Sequence, residues 1–278
     1  MGKRRGKKKS HRKRHNNPTA GGSSSSAPPP WIELPRDVTE NILSRLGPVE
    51  ILENAQKVCT TWRSVCNEPS LWRVIEMKSS DYGSLCRLTR MYRHAVDLSQ
   101  GELIDVNIKF LCPDDLLQYI SERSSRLKSL RLRVCHKVSS KCLTTAVSKF
   151  PELEVLHIFY LSFYVHMPLF ITAKEIEAIG ISCPKLKSFA FNISCDKREL
   201  LEIDENYALS IAKNMPNLHH LCLDMETVSR EGVKAIFNGC PNLESLILRD
   251  CLVFYSDNQS SGINSIVVSR GSEAYGYW

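Results

Sequence analysis

Nucleophiles and metal ligands are plentiful in this chain, with eleven cysteines and eight histidines spread over 278 residues. Their reactivity depends on arrangement. A zinc site needs ligands at short, paired spacing, and neither a C-x-x-C pair nor a Cys/His cluster occurs. The sequence also lacks H-E-x-x-H, G-x-S-x-G, a phosphate loop and G-x-G-x-x-G, so no constellation for hydrolysis or nucleotide chemistry is present. His219-His220 reads as an ordinary strand pair. We therefore expect no catalytic residues, no cofactor and no metal. One charged feature remains. Lys3, Arg4, Arg5, Lys7, Lys8, Lys9, Arg12, Lys13 and Arg14 form a basic run suited to a nuclear import signal or to weak phosphate binding. Without those nine, 28 basic residues face 30 acidic ones, so the remainder is near neutral and does not read as a nucleic-acid surface.

What could position functional side chains is a repeat. A unit L-x-x-L-x-L recurs at Leu127/Leu130/Leu132, Leu153/Leu156/Ile158, Leu186/Phe189/Phe191, Leu218/Leu221/Leu223 and Leu243/Leu246/Leu248. The leading positions are 26, 33, 32 and 25 residues apart, which predicts extra loops in the two long units. Pro151, Pro184, Pro216 and Pro241 stand two residues before four of these leaders. Helices are expected upstream of each strand. Thr172-x-x-Glu175 has capping-box spacing, Ser229 suits a helix before Phe237, and Asp204 suits one containing Tyr207, Ile211 and Ala212. Cys183 and Cys240 lie three residues before a leader, Cys135 and Cys251 three after a last position, and all four read as packed side chains.

Strand alternation sends the leucines inward and leaves the intervening residues on the opposite face. Arg131, Arg133, His157, Phe159, Asn192, His220, Asp224 and Arg249 are the candidate target-binding residues there, beside Ala190, Cys222, Ser245 and Ile247. The mixture carries no repeated aromatic or basic code, which favours a protein target, with or without a small bound ligand, over a nucleic acid.

Ahead of the repeats, Val38, Ile42 and Leu46 recur every four residues with Leu43 beside them, predicting one apolar helix face. Pro35 suits the first turn and Gly47-Pro48 ends the helix. Ile51, Leu52, Ala55 and Val58 mark a second helix; Trp62, Val65 and Cys66 mark a third, closed by Pro69. So small a bundle leaves apolar side chains uncovered, either for a partner or for capping the domain that follows. Periodicity alone weighs these two readings evenly.

The order Leu34-Pro35, an acidic residue and Val38, Ile42-Leu43, Leu46, Ile51-Leu52, Val58-Cys59, Trp62-Arg63 and Leu71-Trp72 resembles the F-box. The repeats resemble cysteine-containing leucine-rich repeats, and the whole chain is similar to the plant F-box/leucine-rich-repeat family. That resemblance implies an α/β chain: a three-helix F-box, then a short solenoid with parallel strands on its concave face and helices on its convex face. It implies a substrate-recognition subunit of a Skp–cullin–F-box ubiquitin ligase. Leu34, Pro35, Val38, Ile42, Leu43, Leu46, Ile51 and Leu52 would contact the Skp-type adaptor, and through it a cullin. Trp62 and Trp72 would be internal.

The expected organisation is a disordered basic and Ser/Pro-rich tail (1–30), the F-box (31–77), leucine-rich repeats (78–255) and an atypical tail (256–278) lacking the repeat pattern. No apolar secretory signal precedes Trp31, and the stretch Leu161 to Ala173, broken by His166 and Pro168, is shorter than the roughly 18 residues a membrane span requires. A soluble intracellular protein is expected, in the nucleus first and the cytoplasm second. The competing readings are a repeat scaffold outside the ligase and a nucleic-acid-associated protein using its basic tail.

Overall fold

Among the described residues, eight short strands lie side by side in chain order, and every neighbouring pair is parallel. They are β1 (Val74–Glu76), β2 (Asp105–Lys109), β3 (Ser129–Arg133), β4 (Val155–Leu161), β5 (Ser188–Ser194), β6 (His220–Asp224), β7 (Ser245–Arg249) and β8 (Ser265–Ser269). Parallel neighbours need a crossover. Five of the connections carry α5 (Asp114–Arg123), α6 (Ser140–Val147), α7 (Ala173–Ser182), α8 (Asn206–Asn214) and α9 (Arg230–Gly239), while α4 (Leu85–Leu98) lies between β1 and β2. Each helix from α4 to α9 packs on the next, which makes the assembly a solenoid rather than a doubly wound sheet.

This computed structural model describes residue 31 and residues 33–77, 85–109, 112–133, 138–161, 171–194, 206–224, 228, 230–249 and 265–269. The chain divides into two compact units, Met1–Leu34 and Pro35–Trp278. The basic run from Lys3 to Arg14 lies outside the described residues, as do the cap candidates Asp204 and Ser229, Cys135 and Cys251. So do residues 162–170 and 195–205, where the two long repeats would carry their extra length.

The inward residues Leu130, Leu132, Leu156, Ile158, Phe189, Phe191, Leu221, Leu223, Leu246 and Leu248 are all sealed in the core. Burying each contributes roughly 1.5–3 kcal/mol. Two further units escape the leucine pattern: Trp72/Ile75/Met77 and Leu103/Val106/Ile108 hold the same spacing and are equally buried. β8 falls within the tail that lacks the repeat pattern. Its Ile266 and Val268 stand in register with Leu246 and Leu248, so residues 265–269 pair with backbone groups that the β7 edge would leave open.

Helices α1 (Arg36–Leu43), α2 (Pro48–Glu53) and α3 (Thr60–Cys66) precede β1, followed by a 3-10 turn at Pro69–Trp72. Leu43, Ile51, Leu52, Ala55, Val65, Cys66 and Trp72 belong to the same continuous core as the repeat leucines. The indole N–H of Trp72 donates to the Cys66 carbonyl at 2.8 Å. These helices therefore cap the first repeat.

At the end of α7 and of α9 the chain needs a small buried residue before the next proline turn, and cysteine fills that place. The Cys183 thiol lies 3.8 Å from the Val147 carbonyl and that of Cys240 lies 3.4 Å from the Met215 carbonyl. Burial pushes their pKa values up to about 12 and about 11, so neither thiol is a nucleophile near neutral pH. Among the described residues no three His, Cys, Asp or Glu side chains gather as a metal site. Among them, too, no helix is long and apolar enough to cross a membrane.

Candidate docking face and target surface

Helix α1 turns its apolar positions two ways. Thr39 and Leu43 face the core at 1% and 0% exposure, whereas Val38 and Ile42 are each 39% exposed. The buried Thr39 hydroxyl is satisfied by the Pro35 carbonyl at 3.1 Å. Arg36 fixes the helix from outside, forming an ion pair with Glu68 and donating to the Ser64 hydroxyl at 3.3 Å. The chain thus holds α1 rigidly against α3 while leaving the Val38–Ile42 ridge uncovered. Pro35 is exposed and Leu46 half-buried, packed against the core. Val58, not among the predicted contacts, is 48% exposed. Leu43, Ile51 and Leu52 are already inside the chain's own core.

On the sheet, strand pairing sets the non-leucine residues in rows. One row runs Glu76, Asn107, Arg131, His157, Ala190, Cys222, Ile247, and its character changes halfway. The first half is charged and internally paired. Arg131 donates to both Asp105 carboxylate oxygens at 2.9 Å, and Lys109 meets Glu76 at 2.6 Å. Asn107 donates to the same Glu76 at 3.2 Å. Asp105, Asn107, Lys109 and Glu76 were missed in the sequence because their strands lack the leucine signature.

The second half is uncharged. Phe159, Ala190 and Cys222 form a small apolar cluster on this face, with Ile247 packed against it. The Arg133 guanidinium sits over the Phe159 ring, 5.7 Å from its centre. The ring of His157 meets Phe159 edge-on at 6.0 Å, and its Nε2 is 2.9 Å from the Ser188 hydroxyl. Burial, followed by the charges of Arg131 and Arg133 and the nearby His220, lowers its pKa to about 4, so the imidazole is neutral at physiological pH. Of the other predicted target residues, Asn192, Asp224 and Arg249 take strand positions in register with Phe159, but their side chains lie outside the described residues.

The F-box-like family model matches residues 31–78. F-box protein SKIP19 of Arabidopsis thaliana is 43% identical over 248 residues, which cover 86% of this chain and 76% of that protein. F-box/LRR-repeat protein 9 of the same plant is 39% identical over 229 residues, 80% of this chain and 88% of its own length. The chain belongs to the plant F-box/leucine-rich-repeat family. Against F-box/LRR-repeat protein 23 of Arabidopsis thaliana it is 41% identical over 223 residues, 80% of this chain, and spans only about half of that relative, 48%.

Within the F-box, the structure separates residues that the linear motif runs together. Leu43, Ile51 and Leu52 are structural, and Pro35, Val38 and Ile42 offer surface. Within the leucine-rich repeats, Arg131, Arg133, His157 and Phe159 come together on β3 and β4. His220 stands one row away, in register with Ser188 and Ser245.

Proposed function

We propose that this F-box/leucine-rich-repeat protein is the target-holding subunit of a Skp–cullin–F-box ubiquitin ligase. The observation that carries the reading is the exposed Val38–Ile42 ridge on a helix whose other face is anchored in the core. Each such side chain forfeits up to roughly 1.5–3 kcal/mol of burial until a partner covers it. A Skp-type adaptor covers Pro35, Val38 and Ile42 together with Leu34 and Leu46, while Leu43, Ile51 and Leu52 fix the helices that present them. A cullin joins through the adaptor. The concave sheet face holds the target protein, and the subunit contributes proximity to a ubiquitin thioester carried elsewhere rather than catalytic groups of its own. The basic run from Lys3 to Arg14 directs the protein to the nucleus, a role tested by deleting it from a fluorescent fusion.

The adaptor reading is tested by capture of a purified Skp-type adaptor on the full chain. Val38→Asp combined with Ile42→Asp should weaken capture about a hundredfold, since charge would have to be desolvated at the contact. Undiminished capture by that pair would remove the proposed docking face. Raised salt should leave the wild-type interaction largely intact, whereas phosphate binding through the tail should collapse. Target ubiquitylation measured with and without the protein separates ligase from scaffold.

A further inference from the structure

The helix that carries the exposed Val38–Ile42 ridge is too short to hold its own shape. α1 has 8 residues, and helices below roughly 12–15 residues are marginal in water by themselves. No side chain caps its start, and its buried residues are Thr39 and Leu43, a single row along one face. Two polar links tie it to the segment between α3 and β1. Arg36 forms an ion pair with Glu68 and also donates to the Ser64 hydroxyl at 3.3 Å. One turn further on, Glu40 accepts a hydrogen bond from the Ser70 hydroxyl. The segment at the other end of these links is firmly held. The Glu68 N–H donates to the Val65 carbonyl at 2.9 Å, the Leu71 N–H donates to the Glu68 carbonyl at 3.1 Å, and Trp72 is fully buried.

We infer that Arg36, Glu40, Glu68 and Ser70 are positioning residues for adaptor docking: they fix the rotation of α1 and so set how well the ridge is presented, without touching the adaptor. The inference rests on the adaptor reading proposed above and adds what governs the strength of that contact. Helix geometry separates the two roles. At 3.6 residues per turn, Arg36 and Glu40 stand about 160° around α1 from Val38 and Ile42. A partner seated on the ridge is therefore on the far side of the helix from both links. The buried row of Thr39 and Leu43 lies between them and, alone, would act as an axle about which α1 can roll. Links beyond that row oppose the roll. A ridge that spends less time correctly turned binds more weakly in proportion, because apparent affinity scales with the competent fraction. Exposed ion pairs shift such equilibria modestly, so each link accounts for about a two- to fivefold change, far less than the ridge itself.

The test is a titration of purified Skp-type adaptor against variants of the full chain, with backbone amide exchange measured on the same samples. Arg36→Ala and Glu68→Ala should each weaken binding about two- to fivefold, and the pair together little more than Arg36→Ala, since both remove one link. Reciprocal exchange, Arg36→Glu with Glu68→Arg, should recover most of the loss. Glu40→Ala should weaken binding by a similar factor, whereas Glu40→Gln, which keeps an acceptor for Ser70, should not. Amide exchange in the weakened variants should quicken across α1 and stay unchanged in β2 to β7, which distinguishes a loosened helix from an unfolded chain. Three outcomes overturn the inference: wild-type affinity in every variant, a reciprocal exchange as weak as Arg36→Ala, which would place Arg36 in the contact itself, or weakened binding with α1 exchange unmoved. A wild type that captures no adaptor would instead overturn the ligase reading, and the docking role of the links with it, whatever α1 exchange shows.

Discussion

The described inward residues from Ile75 to Leu248 are at most 2% exposed along the repeat strands, whereas on α1 the pair Val38 and Ile42 remains 39% exposed. Both sets are large apolar side chains, equally regular in spacing. What differs is the number of neighbours. A strand inside the solenoid is flanked by a repeat on each side and roofed by a helix, so its apolar face is completed by the chain itself. Helix α1 packs on α3 and leaves Val38 and Ile42 partly exposed on its other side. Regular apolar spacing therefore marks burial only where the fold supplies both walls, and leaves apolar surface exposed where it supplies one.

The sharpest way to break this comparison is at the junction. Trp72 is fully buried between the helices and the first repeat, with its indole N–H bound to Cys66. Trp72→Ala should cost about 3–5 kcal/mol in chemical denaturation. By contrast, Val38→Asp with Ile42→Asp should shift the same midpoint by about 0.5 kcal/mol or less, although adaptor capture should fall about a hundredfold. If the two variants destabilised alike, α1 would be core on both faces.

Repeat packing can be broken from the convex side as well. A Cβ placed on Gly239 of α9 would collide with the Ala212 carbonyl oxygen of α8, and on Gly180 of α7 it would come within 2.7 Å of the Asn214 carbonyl oxygen. Alanine ordinarily favours a helix by about 1 kcal/mol over glycine. Here the sign should reverse, with Gly239→Ala losing about 1–3 kcal/mol because backbone must move.

The concave face gives a pH-dependent test of about the same size. Held neutral by burial and by Arg131 and Arg133, His157 has a folded pKa of about 4, against 6.5 in the unfolded chain. Between those values the unfolded state binds the proton and the folded state does not. Its contribution is therefore complete above 6.5 and lost as the pH falls toward 4, a decrease of about 1–3 kcal/mol. Denaturation at stepped pH should show that slope in the wild type and a flatter one in His157→Gln. An unchanged slope would mean the imidazole is solvated.

The five leucine units and their strand positions were legible because alternation and spacing encode them without reference to anything distant. The units at Trp72/Ile75/Met77 and Leu103/Val106/Ile108 were not, since a search written for leucine overlooks that the position requires only a large buried side chain. The α1 face shows a different limit. Val38–Ile42 and Thr39–Leu43 are both i, i+4 pairs, and hydropathy favours the first as the core side. Thr39 can be buried only because its hydroxyl reaches the Pro35 carbonyl, a local bond that hydropathy does not record. The row His157, Ala190, Cys222 and Ile247 depends on register across repeats 25–33 residues apart, so its packing became visible only when the strands were aligned.

The smallest predicted effect returns to the two kinds of helix. At the start of α7 the Thr172 side chain accepts from the Lys174 backbone N–H at 3.3 Å, and the Thr172 N–H donates to Glu175 at 2.7 Å. The start of α1 has no side-chain cap; Pro35 stands there instead. At α7 the orphan N–H groups of the first turn are met by the helix's own residues. Thr172→Ala should cost about 1 kcal/mol, lowering Tm by about 2–4 °C in a scanning measurement. Adaptor binding should lower the exposure of α1 without altering that cost. If bound adaptor rescued Thr172→Ala beyond the wild type's own gain, α7 and α1 would be coupled through the core, and the division between a self-completed solenoid and a partner-completed helix would have to be redrawn.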